Sequence, residues 1–187
     1  MTTMSSLAEL QQLLAERSAR QGKFKLSSGR ESTLYIDARL TTMSPEGLIL
    51  IGQLGFQALE QSGWDVAAVG GLTLGADPVA YAIAYTSGLS QRLIRAFTVR
   101  KEAKSHGTGQ LIEGPFVPGD RVAIVEDVIT TGASALRAAA TIAANGGIVA
   151  GILSVVDREE GGREAIEQHG YSVISLTNAA DIVRYMS

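Results

Sequence analysis

Short apolar runs alternate along this chain with longer segments whose composition or spacing favours helix. The runs are rich in β-branched residues, which favours strands buried on both faces; they cover residues 65–70, 93–99, 122–125, 147–156 and 171–176. Helices are predicted between and after them, at residues 76–86, 135–144, 163–169 and 179–185. This alternation predicts an α/β fold with a parallel sheet core flanked by helices on both faces. Ligands of such sheets bind beyond the carboxyl ends of the strands.

The first third of the chain has a different pattern. Residues 7–20 show helical spacing, and residues 24–37 contain an extended, hairpin-like segment that we expect to lie apart from the main sheet. A second helix should begin after Ser44, which can cap it, and should stop near Gly63. We expect one domain covering residues 1–187.

Composition narrows the classes of function. The chain has 45% hydrophobic residues and a net charge of −3, which supports a real core and argues against nucleic acid as a partner. It has no cysteine and two histidines, which excludes disulfides, thiolate metal sites, a cysteine nucleophile and a histidine-rich metal site. No signal sequence or long uncharged apolar run is present, so we expect a cytoplasmic protein without a membrane partner.

The most informative motif is RVAIVEDVITTGAS at residues 121–134. An apolar strand leads into two acids and then into a small, hydroxyl-rich turn that opens a helix. The backbone N–H groups of that turn can bind a phosphate at the helix N-terminus. Glu126 and Asp127 can hydrogen-bond ribose hydroxyls or attract Mg²⁺. The motif therefore indicates a sugar-phosphate site, although an ordinary strand, cap and bend is the alternative. It matches neither a Walker A loop nor a dinucleotide-binding loop.

A second motif is a basic loop, RKEAKSHGTGQLIEG, at residues 100–114. It follows the strand that precedes the phosphate motif, so it can reach the same end of the sheet. Its glycines favour a mobile lid whose cations close over a polyphosphate, and the alternative is a solvated basic loop. The cations concerned are Arg100, Lys101, Lys104 and His106.

Both motifs resemble known ones. The stretch IVEDVITTG resembles the phosphoribosyl pyrophosphate (PRPP) signature of type I phosphoribosyltransferases, and RKEAKSHG resembles the catalytic loop of the orotate phosphoribosyltransferase family. Three more segments are similar to that family and occur in its order. They are FKLSSGRESTLYID at residues 24–37, GGLTLGADP at residues 70–78 and DREEGG at residues 157–162.

The resemblance implies a type I phosphoribosyltransferase fold in which about residues 1–40 form a small N-terminal hood over the base site. It implies transfer of ribose 5-phosphate from PRPP to orotate, with Mg²⁺ as cofactor, in pyrimidine (UMP) biosynthesis. It also implies a homodimer in which the loop of residues 100–114 acts in the partner's site. The two rivals are a purine phosphoribosyltransferase and a non-catalytic nucleotide-binding regulator of the same fold.

The same resemblance assigns roles to residues of this chain. Residues expected to bind PRPP are Arg100, Lys101, Lys104, His106, Glu126, Asp127, Val128, Ile129, Thr130, Thr131, Gly132, Ala133 and Ser134. The first four of these are also the expected catalytic residues. Orotate contacts are expected from Thr130, Arg158 and Tyr35, for which a surface arginine and a half-buried strand tyrosine are the alternatives. Mg²⁺ should bind through PRPP, with Asp127 as a possible ligand.

The chain departs from the family at two positions. Ser27 and Leu74 stand where many bacterial members carry lysine, so those two cationic contacts must be missing or supplied elsewhere. The resemblance also predicts a non-proline cis peptide at about Leu72–Thr73.

Overall fold

The computed structural model describes residues 3–25, 31–102 and 110–186. The helices are α1 (Thr3–Arg17), α2 (Arg39–Thr42), α3 (Pro45–Ser62), α4 (Ala76–Gly88), α5 (Ala133–Ala144), α6 (Gly162–Gln168) and α7 (Ala179–Val183). The strands are β1 (Ala19–Lys25), β2 (Glu31–Ile36), β3 (Ala68–Leu72), β4 (Arg95–Val99), β5 (Ile112–Glu113), β6 (Arg121–Ile129), β7 (Ile148–Asp157) and β8 (Val173–Asn178). None of the helices within these ranges has the length and apolar character needed to cross a membrane.

A six-stranded sheet forms the centre of the molecule, in the order β5-β4-β3-β6-β7-β8. All of its neighbours are parallel except β4 and β5. Alternate residues of β6 enter two separate apolar clusters: Ala123 and Val125 pack in one, and Val122 and Ile124 in the other. Each face of the sheet is therefore covered, and the predicted α/β fold with a parallel core is confirmed. The chain order reverses between β3 and β6, so the switch point that favours ligand binding lies between them.

The start of α3 follows the sequence signals. The Ser44 hydroxyl accepts a hydrogen bond from the Gly47 N–H at 3.1 Å, and Pro45 occupies the first helical turn. The helix ends at Gly63, whose φ of 70° is the left-handed conformation that glycine adopts without a steric penalty.

The structure differs from the prediction at several element boundaries and in two short elements. The first helix ends at Arg17 rather than residue 20, because Ala19 and Arg20 pair with β2 in a separate two-stranded sheet. Strand β6 continues through Glu126 and Asp127 to Ile129, since β7 pairs with it along that length. The short elements α2 and β5 carry no clear sequence pattern and were not expected.

Candidate functional site

The conformation of the turn between β6 and α5 requires glycine at position 132. Gly132 has a φ of 77°, and a Cβ placed on it would lie 2.8 Å from the Gly162 carbonyl oxygen and 2.9 Å from Ile166 Cγ1. Gly132 is also the N-cap of α5 and supplies no side-chain cap, while the Ala133 N–H has only a 3.4 Å contact to Thr131 Oγ1. The first N–H groups of α5 are therefore available to an anion.

Two cavities open around this turn. The first, which we call the loop cavity, has a volume of about 300 Å³, and its lining is Tyr35, Ile36, Glu126, Val128, Ile129, Thr130, Thr131, Gly132, Ala133, Ser134, Ala135 and Arg158. The second, which we call the adjoining cavity, has a volume of about 260 Å³ and also reaches residues 37–39, 72–75, Lys101 and Asp127. Both are lined by Tyr35, Glu126 and Thr130, so they form one continuous site large enough for a sugar phosphate and a base.

Two adjacent carboxyls form the floor of the site. Glu126 is 6% exposed, and its Oε2 has no hydrogen-bond partner among the residues that the structure describes. Burial, and then the negative charge of Asp127, hold the pKa of the Glu126 carboxyl well above its ordinary value of 4.5. Burial also raises the pKa of Asp127, although the Val128 N–H donates to its Oδ1 at 2.9 Å. Buried carboxyl oxygens with spare acceptor capacity are suited to binding ribose hydroxyls.

We predict that Glu126→Gln stabilises the free protein at high pH. The folded chain holds the Glu126 proton at pH values where the unfolded chain has lost it, so the free energy of unfolding should fall as pH rises above 4.5. Glutamine removes this penalty. Urea unfolding should give a higher free energy for the variant at about pH 8 and nearly equal values at about pH 4. Glu9→Gln, at an exposed position in α1, is the control. A Glu126→Gln curve parallel to that of the unaltered chain at all pH values would contradict the prediction.

The loop between β3 and α4 faces the adjoining cavity. Its non-proline cis peptide joins Thr73 to Leu74, one residue later than expected. The Thr73 hydroxyl donates to Asp77 Oδ2 at 2.6 Å, and the Thr98 hydroxyl donates to Asp77 Oδ1 at 2.8 Å. Asp77 therefore fixes the loop to β4. A Cβ on Gly75 would lie 2.4 Å from Asp127 Oδ1, so a larger residue there would require the Asp127 carboxyl to move.

Arg158 lies in the loop cavity and not on the surface. It is 7% exposed, and its Nη2 donates to the Leu34 carbonyl at 2.8 Å and to Glu160 Oε1 at 2.6 Å. The surface-arginine alternative is therefore wrong. Tyr35 lines the same cavity from β2, is 42% exposed, and packs on Phe24 with ring centroids 5.5 Å apart.

The base of the predicted lid is an antiparallel β4–β5 pair. The Arg100 N–H donates to the Leu111 carbonyl at 2.8 Å, and the Arg100 guanidinium lies 3.4 Å from Glu113 Oε1. Arg100 lines a neighbouring cleft together with Thr73, and Lys101 lines both that cleft and the adjoining cavity. Lys104 and His106 lie outside the described residues, as does Ser27.

The sequence reasoning missed a cation in this site. Arg39, at the start of α2, lines the adjoining cavity. Its Nε and Nη2 donate to the two carboxylate oxygens of Asp37 at 2.8 and 2.9 Å, and these hydrogen bonds lower the pKa of Asp37. The only local signal was an acid followed two positions later by an arginine, near the end of the hood. This pattern is too common to identify a site.

Known proteins similar to this chain include orotate phosphoribosyltransferases from several organisms. The orotate phosphoribosyltransferase of Aquifex aeolicus (strain VF5) is 47% identical over 178 residues, which cover 94% of this chain and 96% of that protein. The crystal structure of Mycobacterium tuberculosis H37Rv orotate phosphoribosyltransferase with Fe(III) dicitrate matches at 45% identity and a TM-score of 0.82, covering 95% of this chain and 98% of that one.

A structure of the same mycobacterial enzyme in complex with PRPP matches at 40% identity and a TM-score of 0.77, covering 95% of this chain and 92% of that one. No protein-family model matches the sequence. The identity and coverage of these relatives show that the chain belongs to the orotate phosphoribosyltransferase family.

Proposed function

We propose that this protein transfers the ribose 5-phosphate group of PRPP to orotate, giving orotidine 5-monophosphate and pyrophosphate, in pyrimidine (UMP) biosynthesis. The observation that carries the proposal is the continuous site. A turn suited to phosphate, two carboxyls, a buried arginine and an aromatic ring line one space in a chain of this family. The turn suits the 5-phosphate of PRPP, the carboxyls suit its ribose hydroxyls, and the arginine and the aromatic ring suit orotate.

PRPP is proposed to lie along the floor of the site. The 5-phosphate would bind the N–H groups and hydroxyls of residues 130–134, where the end of α5 favours an anion. Glu126 and Asp127 would accept hydrogen bonds from the ribose hydroxyls. The pyrophosphate would then extend into the adjoining cavity, between the Thr73 loop and Lys101.

Orotate is proposed to occupy the loop cavity under the hood. Arg158 can pair with its carboxylate or a ring carbonyl, because a guanidinium offers two parallel donors. Thr130 lines the cavity beside the turn, and Tyr35 would cover one face of the ring from β2. In this proposal about residues 1–40 form the hood over the base site, within a single domain that covers residues 1–187.

The reaction proposed here needs no protein nucleophile. As the bond from the ribose carbon to pyrophosphate breaks, positive charge develops on the sugar and negative charge on the leaving group, and the orotate ring nitrogen then bonds to the same carbon. Lys101, with Arg100, Lys104 and His106 of the lid, would stabilise the charge on pyrophosphate. Lys104 and His106 could also donate a proton to it. The roles of those two residues stay predictions from the sequence.

Mg²⁺ is proposed as the cofactor. Hard cations of this kind bind one or two carboxylates together with substrate phosphates, and Asp127 beside the adjoining cavity fits that description, with PRPP supplying the other ligands. When bound, the ion would supply positive charge to the polyphosphate. We also infer a cytoplasmic location, which the lack of cysteine supports.

The first experiment is the absorbance change of orotate with purified protein, PRPP and Mg²⁺, beside adenine, hypoxanthine, xanthine and uracil. Orotate consumption that requires both PRPP and Mg²⁺ is the expected result. PRPP-dependent loss of a purine instead would keep the phosphate site and overturn the base assignment. No turnover of any base would favour the nucleotide-binding regulator.

A homodimer is also proposed, through an exposed apolar face of α3 and α4. A groove of about 470 Å³ lies between these helices, and Ile49, Tyr85 and Leu89 at its edge are 60%, 73% and 75% exposed. Exposed apolar surfaces of this kind mark interaction sites. The Tyr81 hydroxyl in the groove is 2.9 Å from the Thr98 hydroxyl, which Asp77 links to Thr73, so this face is connected to the active-site loop.

We predict that Tyr85→Asp weakens the dimer. A charge in a dry interface must be desolvated, so the dissociation constant should rise by roughly tenfold or more. Analytical ultracentrifugation over a concentration series measures this shift. Val117→Asp is the matched control, since Val117 is 52% exposed and lies away from the groove. If the unaltered chain is monomeric, or if both variants dissociate alike, this face is not the interface.

A further inference from the structure

We propose that Arg39 binds the pyrophosphate of PRPP and holds it as it leaves, and that Asp37 orients the Arg39 guanidinium for this task. The proposal rests on the proposed function, because it assumes that PRPP is the substrate. It assigns to α2 a binding role that the sequence patterns did not suggest.

The first argument is the charge of the adjoining cavity. Three carboxyl groups, those of Asp37, Glu126 and Asp127, line it, and none of them offers a polyanion a favourable charge. The β3–α4 loop, residues 72–75, brings no charged side chain of its own. Among the described residues that line this cavity, Arg39 and Lys101 are the cations. A pyrophosphate placed there would need both of them.

The second argument is orientation. The Asp37 carboxylate holds the guanidinium at two points, with the Nε and Nη2 contacts at 2.8 and 2.9 Å. The remaining N–H donors of the guanidinium are not used by that pair. An arginine fixed in this way loses little further side-chain entropy when an anion binds, which is the benefit of preorganisation.

The third argument is position. Arg39 lines the adjoining cavity but not the loop cavity, whereas Arg158 lines the loop cavity but not the adjoining one. Asp127 lines the adjoining cavity together with Arg39. Arg39 is therefore on the pyrophosphate side of the ribose site and away from the base, so it should affect one substrate and not the other.

The test compares Arg39→Ala and Asp37→Asn with the unaltered protein by titration calorimetry, using pyrophosphate and ribose 5-phosphate as separate ligands in the presence of Mg²⁺. Arg39→Ala should weaken pyrophosphate binding about tenfold and leave ribose 5-phosphate binding within about twofold. Asp37→Asn should give a smaller loss, because the cation remains but is less well oriented. In steady-state assays the KM for PRPP should rise while the KM for orotate stays unchanged.

Arg17→Ala is the matched control, since Arg17 is a partly exposed arginine in a salt bridge with Glu46 at 3.0 Å and lines neither cavity. If Arg39 only braces the turn before α2, its loss should lower the thermal stability and weaken both ligands alike, which would overturn the proposal. Unchanged pyrophosphate binding would also overturn it. Failure of the unaltered protein to turn over orotate would instead refute the proposed function.

Discussion

Replacing Gly132 with alanine should lower kcat/KM for PRPP by on the order of 100-fold, because a displacement of about 1 Å in a positioning loop has effects of this size. The new methyl group would lie 2.8 Å from the Gly162 carbonyl oxygen and would require a φ of 77°, which L-residues adopt at a cost of about 1–2 kcal/mol. The turn must therefore move, and its N–H groups would no longer converge on the 5-phosphate. Initial rates over a range of PRPP concentrations measure the effect.

Gly170→Ala separates the effect of the backbone penalty on stability from the effect of moving the phosphate turn. Gly170 has a φ of 86°, so alanine meets the same backbone penalty there, but nothing lies within 4 Å of its added Cβ. We expect this variant to lose stability and to keep its kcat/KM for PRPP. If Gly170→Ala reduced activity as much as Gly132→Ala does, general destabilisation would explain both results. Full activity of Gly132→Ala would show that the turn tolerates movement and that its geometry does not position PRPP.

The sequence was sufficient for features that depend on neighbouring residues. The apolar strand before Glu126, the small turn after it and the cap at Ser44 are local signals, and the structure has each element where these signals occur. The main error of this kind was the end of the first helix. The sequence around Arg20 gives no signal for the end of a helix. Arg20 lies outside the helix because it pairs with Tyr35 in β2.

Features that depend on contacts between distant residues were not predictable. The two residues of β5 form a strand only because β4 lies beside them. Asp77 is an ordinary acid in the first turn of α4 until folding brings Thr98 to it, 21 positions away. Arg39 likewise gains its proposed role from a cavity whose lining also includes residues 72–75, Lys101 and residues 126–128, all distant from it in sequence. Sequence patterns therefore predicted the phosphate turn, the base contact at Arg158 and the lid cations, but they did not point to Asp77 or Arg39.

Arg158→Lys should lower kcat/KM for orotate by about 100-fold, since a lost hydrogen bond to a charged group costs about 1.5–3 kcal/mol. Lysine keeps the charge but cannot form two parallel hydrogen bonds with a carboxylate. It also cannot reproduce the contacts of the guanidinium with the Leu34 carbonyl and Glu160. Steady-state kinetics should show the lower kcat/KM for orotate and little change in the KM for PRPP, because Arg158 does not line the adjoining cavity.

Glu160→Gln tests whether the guanidinium itself, and not its ion pair, recognises orotate. Glu160 Oε1 lies 2.6 Å from Arg158 Nη2, so its negative charge competes with the carboxylate of the substrate. Neutralising Glu160 should leave the KM for orotate unchanged or lower it. If Glu160→Gln instead reduced kcat/KM for orotate as much as Arg158→Lys does, the ion pair would be a structural support of residues 157–162. Arg158 would then act through the shape of the loop cavity, and the base contact proposed for it would be wrong.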